Sequence, residues 1–116
     1  MTLVDTSVWA DHFRKPNSIL LTLVETRQLA GHPFVLGELV MGNLRNRDEF
    51  VFNYRLLPQA PVADEQHVHY LLNTHRLWGM GLGWVDLHLL TSAALAGWDL
   101  LTNDKALQSA LSRLRR

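Results

Sequence analysis

Four acids stand where short apolar runs give way to polar or helical sequence. Asp5 follows Leu3-Val4, Glu38 follows Pro33-Phe34-Val35, Asp86 lies just past a glycine-rich stretch, and Asp104 follows Trp98 to Thr102. At the carboxyl ends of parallel strands, where ligands of open α/β sheets collect, such positions share one rim. Two carboxylates ~4 Å apart repel by about 4 kcal/mol at a surface-like dielectric, so four gathered together require a cation. Carboxylates without Cys or His partners suit Mg²⁺ or Mn²⁺ rather than zinc. An ion held in this way polarises a phosphoryl oxygen and activates water, which are the needs of phosphodiester hydrolysis. The plainer account makes each acid a helix cap, worth ~0.3–1 kcal/mol. Asp86 is the hardest to treat so, because the segment around it, Trp84 to Ala96, is apolar nearly all round and an unpaired buried acid is expensive.

The elements that must carry these acids alternate short strands with helices. Leu3-Val4 reads as a buried strand and Thr6 to about Phe13 as a helix, stopped by Arg14-Lys15-Pro16-Asn17. Ser18 to Gln28 is a helix with apolar residues on more than one face, so its second side is expected to meet the core or a partner. Gly31 to Val35 suggests a second strand, and Leu36 to Gly42 enters a helix with Glu38 in its first turn. Helices are expected over Arg45 to Leu56, Asp64 to Trp78, Trp84 to Ala96 and Asp104 to Leu114, with Gly97 as a C-cap. Trp98 to Thr102 is a strand, and Leu57 to Val62, with two prolines, is at most a short edge strand. The alternation predicts an α/β fold, a short and mostly parallel central sheet with helices on both faces.

The length of 116 residues gives one domain over 1–116. With 47% hydrophobic and 19% charged residues the chain has the balance of a compact fold. Eleven basic and eleven acidic residues cancel, so a polyanion must be held locally rather than by bulk charge. The absence of cysteine excludes a thiolate nucleophile and a Cys-based zinc site. No basic leader and no apolar run near the ~20 residues of a membrane span are present, so the expected address is cytoplasmic, with no membrane partner.

Leu3-Val4-Asp5-Thr6-Ser7-Val8-Trp9, Gly37-Glu38-Leu39, Gly83-Trp84-Val85-Asp86-Leu87-His88-Leu89-Leu90 and Leu101-Thr102-Asn103-Asp104 resemble the successive blocks of PIN-domain ribonucleases, most closely the VapC-type toxins of toxin–antitoxin pairs. The resemblance runs through essentially the whole chain in order, and its specificity lies in four blocks in register rather than in any one. It implies a three-layer α/β/α fold, a Mg²⁺- or Mn²⁺-dependent endoribonuclease site acting on RNA, a homodimer and a VapB-type antitoxin that occludes the site. By the match, Asp5, Glu38, Asp86 and Asp104 take the places of the family's acidic quartet. Thr6 takes a polar position that helps to orient the first acid, and Asn103 falls where the family is variable. Asp5, Asp86 and Asp104 are expected as inner metal ligands, with Glu38 acting through a water or as general base.

The other chemistry-bearing residues are less informative. Gly79-Met80-Gly81-Leu82-Gly83 follows a helix and lacks the Lys-Ser/Thr or G-x-G-x-x-G pattern of a phosphate loop, so it reads as a flexible hairpin beside Asp86. His12, His32, His67, His69, His75 and His88 show no metal-ligand spacing, and His88 lies roughly opposite Asp86 on its helix. Asp11 reads as solvated or ion-paired. Of the basic groups, Arg14-Lys15 and Arg45 with Arg47 are candidates to flank the acids and hold RNA phosphates, while Arg113, Arg115 and Arg116 read as surface. Trp9, Phe13 and Trp78 read as core or dimer contacts. Two other functions fit the acids alone: a phosphotransfer domain phosphorylated on Asp5, which lacks a well-placed Lys and has Ser7 where a second Asp is wanted, and a non-enzymatic dimeric binding protein whose acids only cap helices.

Overall fold

The computed structural model describes residues 1–115. Among them three strands, β1 (Thr2–Val4), β2 (Leu29–Ala30) and β3 (Asp99–Leu101), form a parallel sheet in the order β2-β1-β3. Leu3 of the central strand pairs with Ala30 on one side and Leu100 on the other. Successive side chains of a strand point to opposite faces, and Leu3 and Val4 are both fully buried, so both faces of the sheet are covered. The covering helices are α1 (Thr6–Arg14), α2 (Ser18–Glu25), α3 (Pro33–Val40), α4 (Arg47–Leu56), α5 (Glu65–Thr74), α6 (Trp84–Ala96) and α7 (Lys105–Leu114). Helix α3 packs on α1 and α4, and α6 packs on α5, α7 and β3, which gives the three-layer α/β/α arrangement. No helix among the described residues is long and apolar enough to cross a membrane.

Helix α6 has the bounds its composition predicts. It is buried from Leu87 through Ala93 and closes at Gly97, whose φ of 70° is a left-handed conformation that costs glycine nothing. Because α6 leads directly into β3 it runs antiparallel to the strands, which brings its N-terminus and Asp86 over their carboxyl edge.

Helices α2 and α5 stop at Glu25 and Thr74, short of the expected Gln28 and Trp78, with Arg27 and Arg76 at positive φ beyond their ends, and two stretches expected as strands differ in kind. Gly31 to Val35 is not a strand: β2 ends at Ala30 and α3 begins at Pro33. Pro33 fits the first helical turn, where no amide is needed, and His32 caps it, with Nδ1 accepting the Phe34 N–H at 3.0 Å. Glu38 therefore sits in the second turn of α3 rather than the first. Leu57 to Val62 forms no strand, only a single parallel bridge between Gly31 and Gln59, as Pro58 and Pro61 cannot donate to a ladder.

His32 also clamps the fold. Since Nδ1 is an acceptor, the ring proton is on Nε2, which donates to Ser92 Oγ of α6 at 3.0 Å, while the His32 N–H donates to the Tyr54 hydroxyl of α4 at 2.9 Å. One fully buried residue thus joins α3, α4 and α6, the first and last through its imidazole and α4 through its backbone N–H. Burial, reinforced by His88, lowers its pKa to about 4, so the imidazole is neutral at pH 7.

Candidate active site

Asp5 is held by backbone and side chain alike. Its N–H donates to the Leu101 carbonyl at 2.9 Å, continuing the β1–β3 ladder, and its own carbonyl accepts from Val8 and Trp9 as α1 begins. The side chain is 5% exposed, yet it caps no helix amide and pairs with no cation among the described residues. Its Oδ2 accepts instead from two hydroxyls, Ser7 Oγ at 2.8 Å and Thr102 Oγ1 at 2.7 Å. Those hydroxyls are anchored in turn: Thr102 Oγ1 accepts the Asp104 N–H at 3.0 Å, and Ser7 Oγ accepts the Asn103 N–H at 3.1 Å.

Asp104 caps α7 through Oδ1, which accepts the Leu107 N–H at 3.0 Å, and Asp86 accepts the Gly83 N–H at 3.0 Å through Oδ2. Both do the capping work the plainer account assigns them. Glu38 does not: it is exposed in the middle of α3, and its Oε1 accepts the Thr6 hydroxyl at 2.8 Å. Thr6 therefore orients Glu38, not the first acid. Consecutive helical side chains diverge by about 100°, so of two adjacent hydroxyls Ser7 turns to Asp5 and Thr6 to α3.

In all four acids one oxygen is engaged and the other, Asp5 Oδ1, Glu38 Oε2, Asp86 Oδ1 and Asp104 Oδ2, has no hydrogen-bond partner among the described residues. The strands and helix starts bring Asp5, Asp86 and Asp104 near enough to feel one another. Burial pushes the Asp86 carboxyl above the ordinary range and the charges of Asp5 and Asp104 add to the rise, against the opposing pull of the Gly83 amide.

A PIN domain model matches residues 2–112. The chain belongs to the PIN-domain family. In two strains of Mycobacterium tuberculosis, a protein named Ribonuclease VapC32 is 42% identical over 111 residues, covering 95% of this chain and 90% of the relative. This PIN domain is accordingly of the VapC type.

The donors of the PIN domain's rim are carboxylate oxygens throughout, which fits a hard divalent ion. Among the described residues no group of three or more His, Asp or Glu side chains is drawn together closely enough to hold a metal by itself. Mutual repulsion favours that spacing, and Mg²⁺ tolerates it, since it keeps several waters and takes only one or two carboxylates directly.

Among the described residues none of the basic candidates forms an ion pair with one of the four acids. Arg14 is ion-paired with Asp11, which also accepts from Asn103 Nδ2 at 2.8 Å. Arg47 donates to the Val40 carbonyl at 3.3 Å, and Arg45 lines a cavity of about 340 Å³ with Trp9, Phe50 and Tyr54, which none of the four acids lines. Arg115 pairs with Asp99 at 3.6 Å; Arg116 lies outside the described residues. His88 is buried, its ring meeting Phe34 and Trp84 edge to face at 5.0 and 5.1 Å. Sequence reasoning missed Ser7 and Thr102. The available signal was a hydroxyl residue just past each of the two strands whose ends carry an acid.

Proposed function

We propose that this PIN domain is a Mg²⁺- or Mn²⁺-dependent endoribonuclease. In this reading it is the toxin of a toxin–antitoxin pair, acting in the cytoplasm as a homodimer restrained by a VapB-type antitoxin. The observation that carries the reading is Asp5: a buried carboxylate that caps no helix, meets no cation and is oriented by two hydroxyls has no structural task left to explain it. Glu38, like Asp5, caps no helix, and the Thr6 hydroxyl orients it. The name of the mycobacterial relative, a ribonuclease, agrees with both.

Asp5, Asp86 and Asp104 would hold the ion with their free oxygens, one or two of them directly and the rest, like Glu38, through its waters. When bound, the ion neutralises charge developing on the phosphoryl oxygens and makes water nucleophilic at neutral pH. Ser7 and Thr102 keep Asp5 in one rotamer, so no reorganisation is needed when substrate arrives. Glu38, steadied by Thr6, is placed to accept a proton from a water.

The test is incubation of the purified protein with structured RNAs in Mg²⁺, in Mn²⁺ and in chelator, beside Asp5→Asn. Discrete metal-dependent fragments that vanish in the variant are expected; a folded protein that neither cleaves nor binds metal by calorimetry would return the acids to capping.

A further inference from the structure

Residues 79–83 form a hairpin between α5 and α6, and behind it opens a groove of about 180 Å³ lined by Leu72, Leu77, Trp78, Leu82, Trp84 and Leu87 among others. Two indoles border it with much of their surface in solvent, Trp78 at 60% and Trp84 at 48%. The hairpin is a wall shared with the acids. The Gly83 N–H is the donor to Asp86, and a Cβ at Gly83 would lie 3.4 Å from that carboxylate's Oδ2. One at Gly81 would lie 4.0 Å from the Ala106 Cβ, in the first turn of the helix that Asp104 caps.

Trp84 is held in place. The rings of His69 and His88 flank it at 5.3 and 5.1 Å, the second at an interplanar angle of 80°. An indole so fixed loses little freedom when a flat ring is laid on it. Arg76 and Lys105, next in sequence to Leu77 of the groove and to Ala106 beside Gly81, have no acidic partner among the described residues. An apolar slot with an aromatic side, walled by the loop that holds Asp86 and flanked in sequence by two unpaired cations, has the chemistry of one nucleotide: base, linkage and phosphate.

We infer that this groove is a nucleobase subsite, in which one unpaired base of the RNA stacks on Trp84 while the adjoining phosphodiester lies over Asp86. The inference rests on the nuclease reading and deepens it. A base in the groove has left its helix, so the segment that is cut must be single-stranded.

The experiment uses the full chain and two readouts. In chelator, a short dye-labelled oligouridylate and an RNA duplex are titrated against the wild type, Trp84→Ala and Trp84→Phe, following tryptophan fluorescence in the wild type and the anisotropy of the dye in all three. The single strand should quench the wild type and the duplex should not. Trp84→Ala should bind the single strand roughly tenfold or more weakly, the usual effect of losing one stacked base. Trp84→Phe, which keeps a ring and guards against a folding defect, should bind nearly as the wild type does. With Mg²⁺ and a structured RNA, Trp84→Ala should raise KM while kcat changes little.

Equal oligouridylate binding by wild type and Trp84→Ala overturns the subsite. So does an unchanged KM in a variant that still cleaves, which leaves the nuclease reading intact. Binding through Trp84 by a protein that cleaves no RNA with either metal sustains the subsite and defeats the nuclease reading instead. Unchanged RNA affinity with weakened retention of a co-expressed protein partner would give the groove to that partner and also overturn the assignment.

Discussion

The hydroxyl of Thr102, at the end of β3, donates to the carboxylate of Asp5, at the end of β1, at 2.7 Å across 97 positions of sequence. The same oxygen accepts the Asp104 N–H, so one side chain sets two of the four acids relative to each other. Thr102 is 4% exposed and Asp5 5%, so the pair is shielded from bulk solvent.

Thr102→Val keeps the shape and removes the hydroxyl. A hydrogen bond to a charged group is worth about 1.5–3 kcal/mol, and the loss here leaves a buried carboxylate less satisfied. Urea unfolding should show a loss of that size, and RNA cleavage should fall at least tenfold through kcat. Thr102→Ser should restore most of both.

Asp86 gives a prediction of opposite sign. Its folded pKa lies above the ordinary carboxylate value of 3.8, so the native state holds the proton more tightly than the unfolded chain. Its favourable contribution is present below 3.8 and is lost as pH rises through the raised value, leaving the ionised group a liability at neutral pH. Asp86→Asn retains an acceptor for the Gly83 N–H. In chelator at pH 7 its melting temperature should therefore match or exceed that of the wild type, and the difference should shrink on acidification. In Mg²⁺ the order should reverse, since the wild type gains stability by binding and the variant does not. A variant less stable in chelator would show that the charge is satisfied without metal.

Strands β1 and β3 and helix α6 were legible in the sequence for separable reasons, whereas the second strand was expected at Gly31 to Val35 and lies at Leu29–Ala30. Asp5 and Asp104 follow apolar runs, and α6 is bounded by a glycine at each end with a mostly apolar stretch between. Position 32 was not legible, because His followed by Pro reads as extended chain until the imidazole is known to cap a helix, and that depends on Ser92, 60 residues away. The hydroxyls of Ser7 and Thr102 carry no periodicity, and their role exists only once β1 and β3 are paired. The resemblance paired Thr6 with the first acid, whereas its hydroxyl meets Glu38, since sequence adjacency does not say which way a helical side chain turns.

His32 gives the fold a pH dependence of its own. With a native pKa of about 4 against an ordinary 6.5, the unfolded chain takes up a proton across that interval and the native state does not. Its stabilising contribution is complete above 6.5 and is lost as pH falls towards 4. His32→Asn can still cap Phe34 but cannot reach Ser92, so it should cost about 1–3 kcal/mol at pH 7. The loss should narrow on acidification over the same interval, read as the difference between two melting curves; a constant difference would mean that the native imidazole titrates normally.

Glu38 and Asp5 should separate metal binding from turnover. Asp5 is buried and rigid, so Asp5→Asn removes a fixed ligand, and both calorimetric Mg²⁺ binding and cleavage should be lost. Glu38 is exposed and tethered by one hydroxyl, which suits a group that works through water. Glu38→Gln should leave Mg²⁺ affinity within a few-fold and lower kcat by roughly a hundredfold or more, the range typical of a general base. Thr6→Val, which frees Glu38 without altering it, should reproduce a smaller part of that loss with KM unchanged. Equal loss of metal binding in Glu38→Gln and Asp5→Asn would make Glu38 an inner ligand, and the proton would then have to leave by another group.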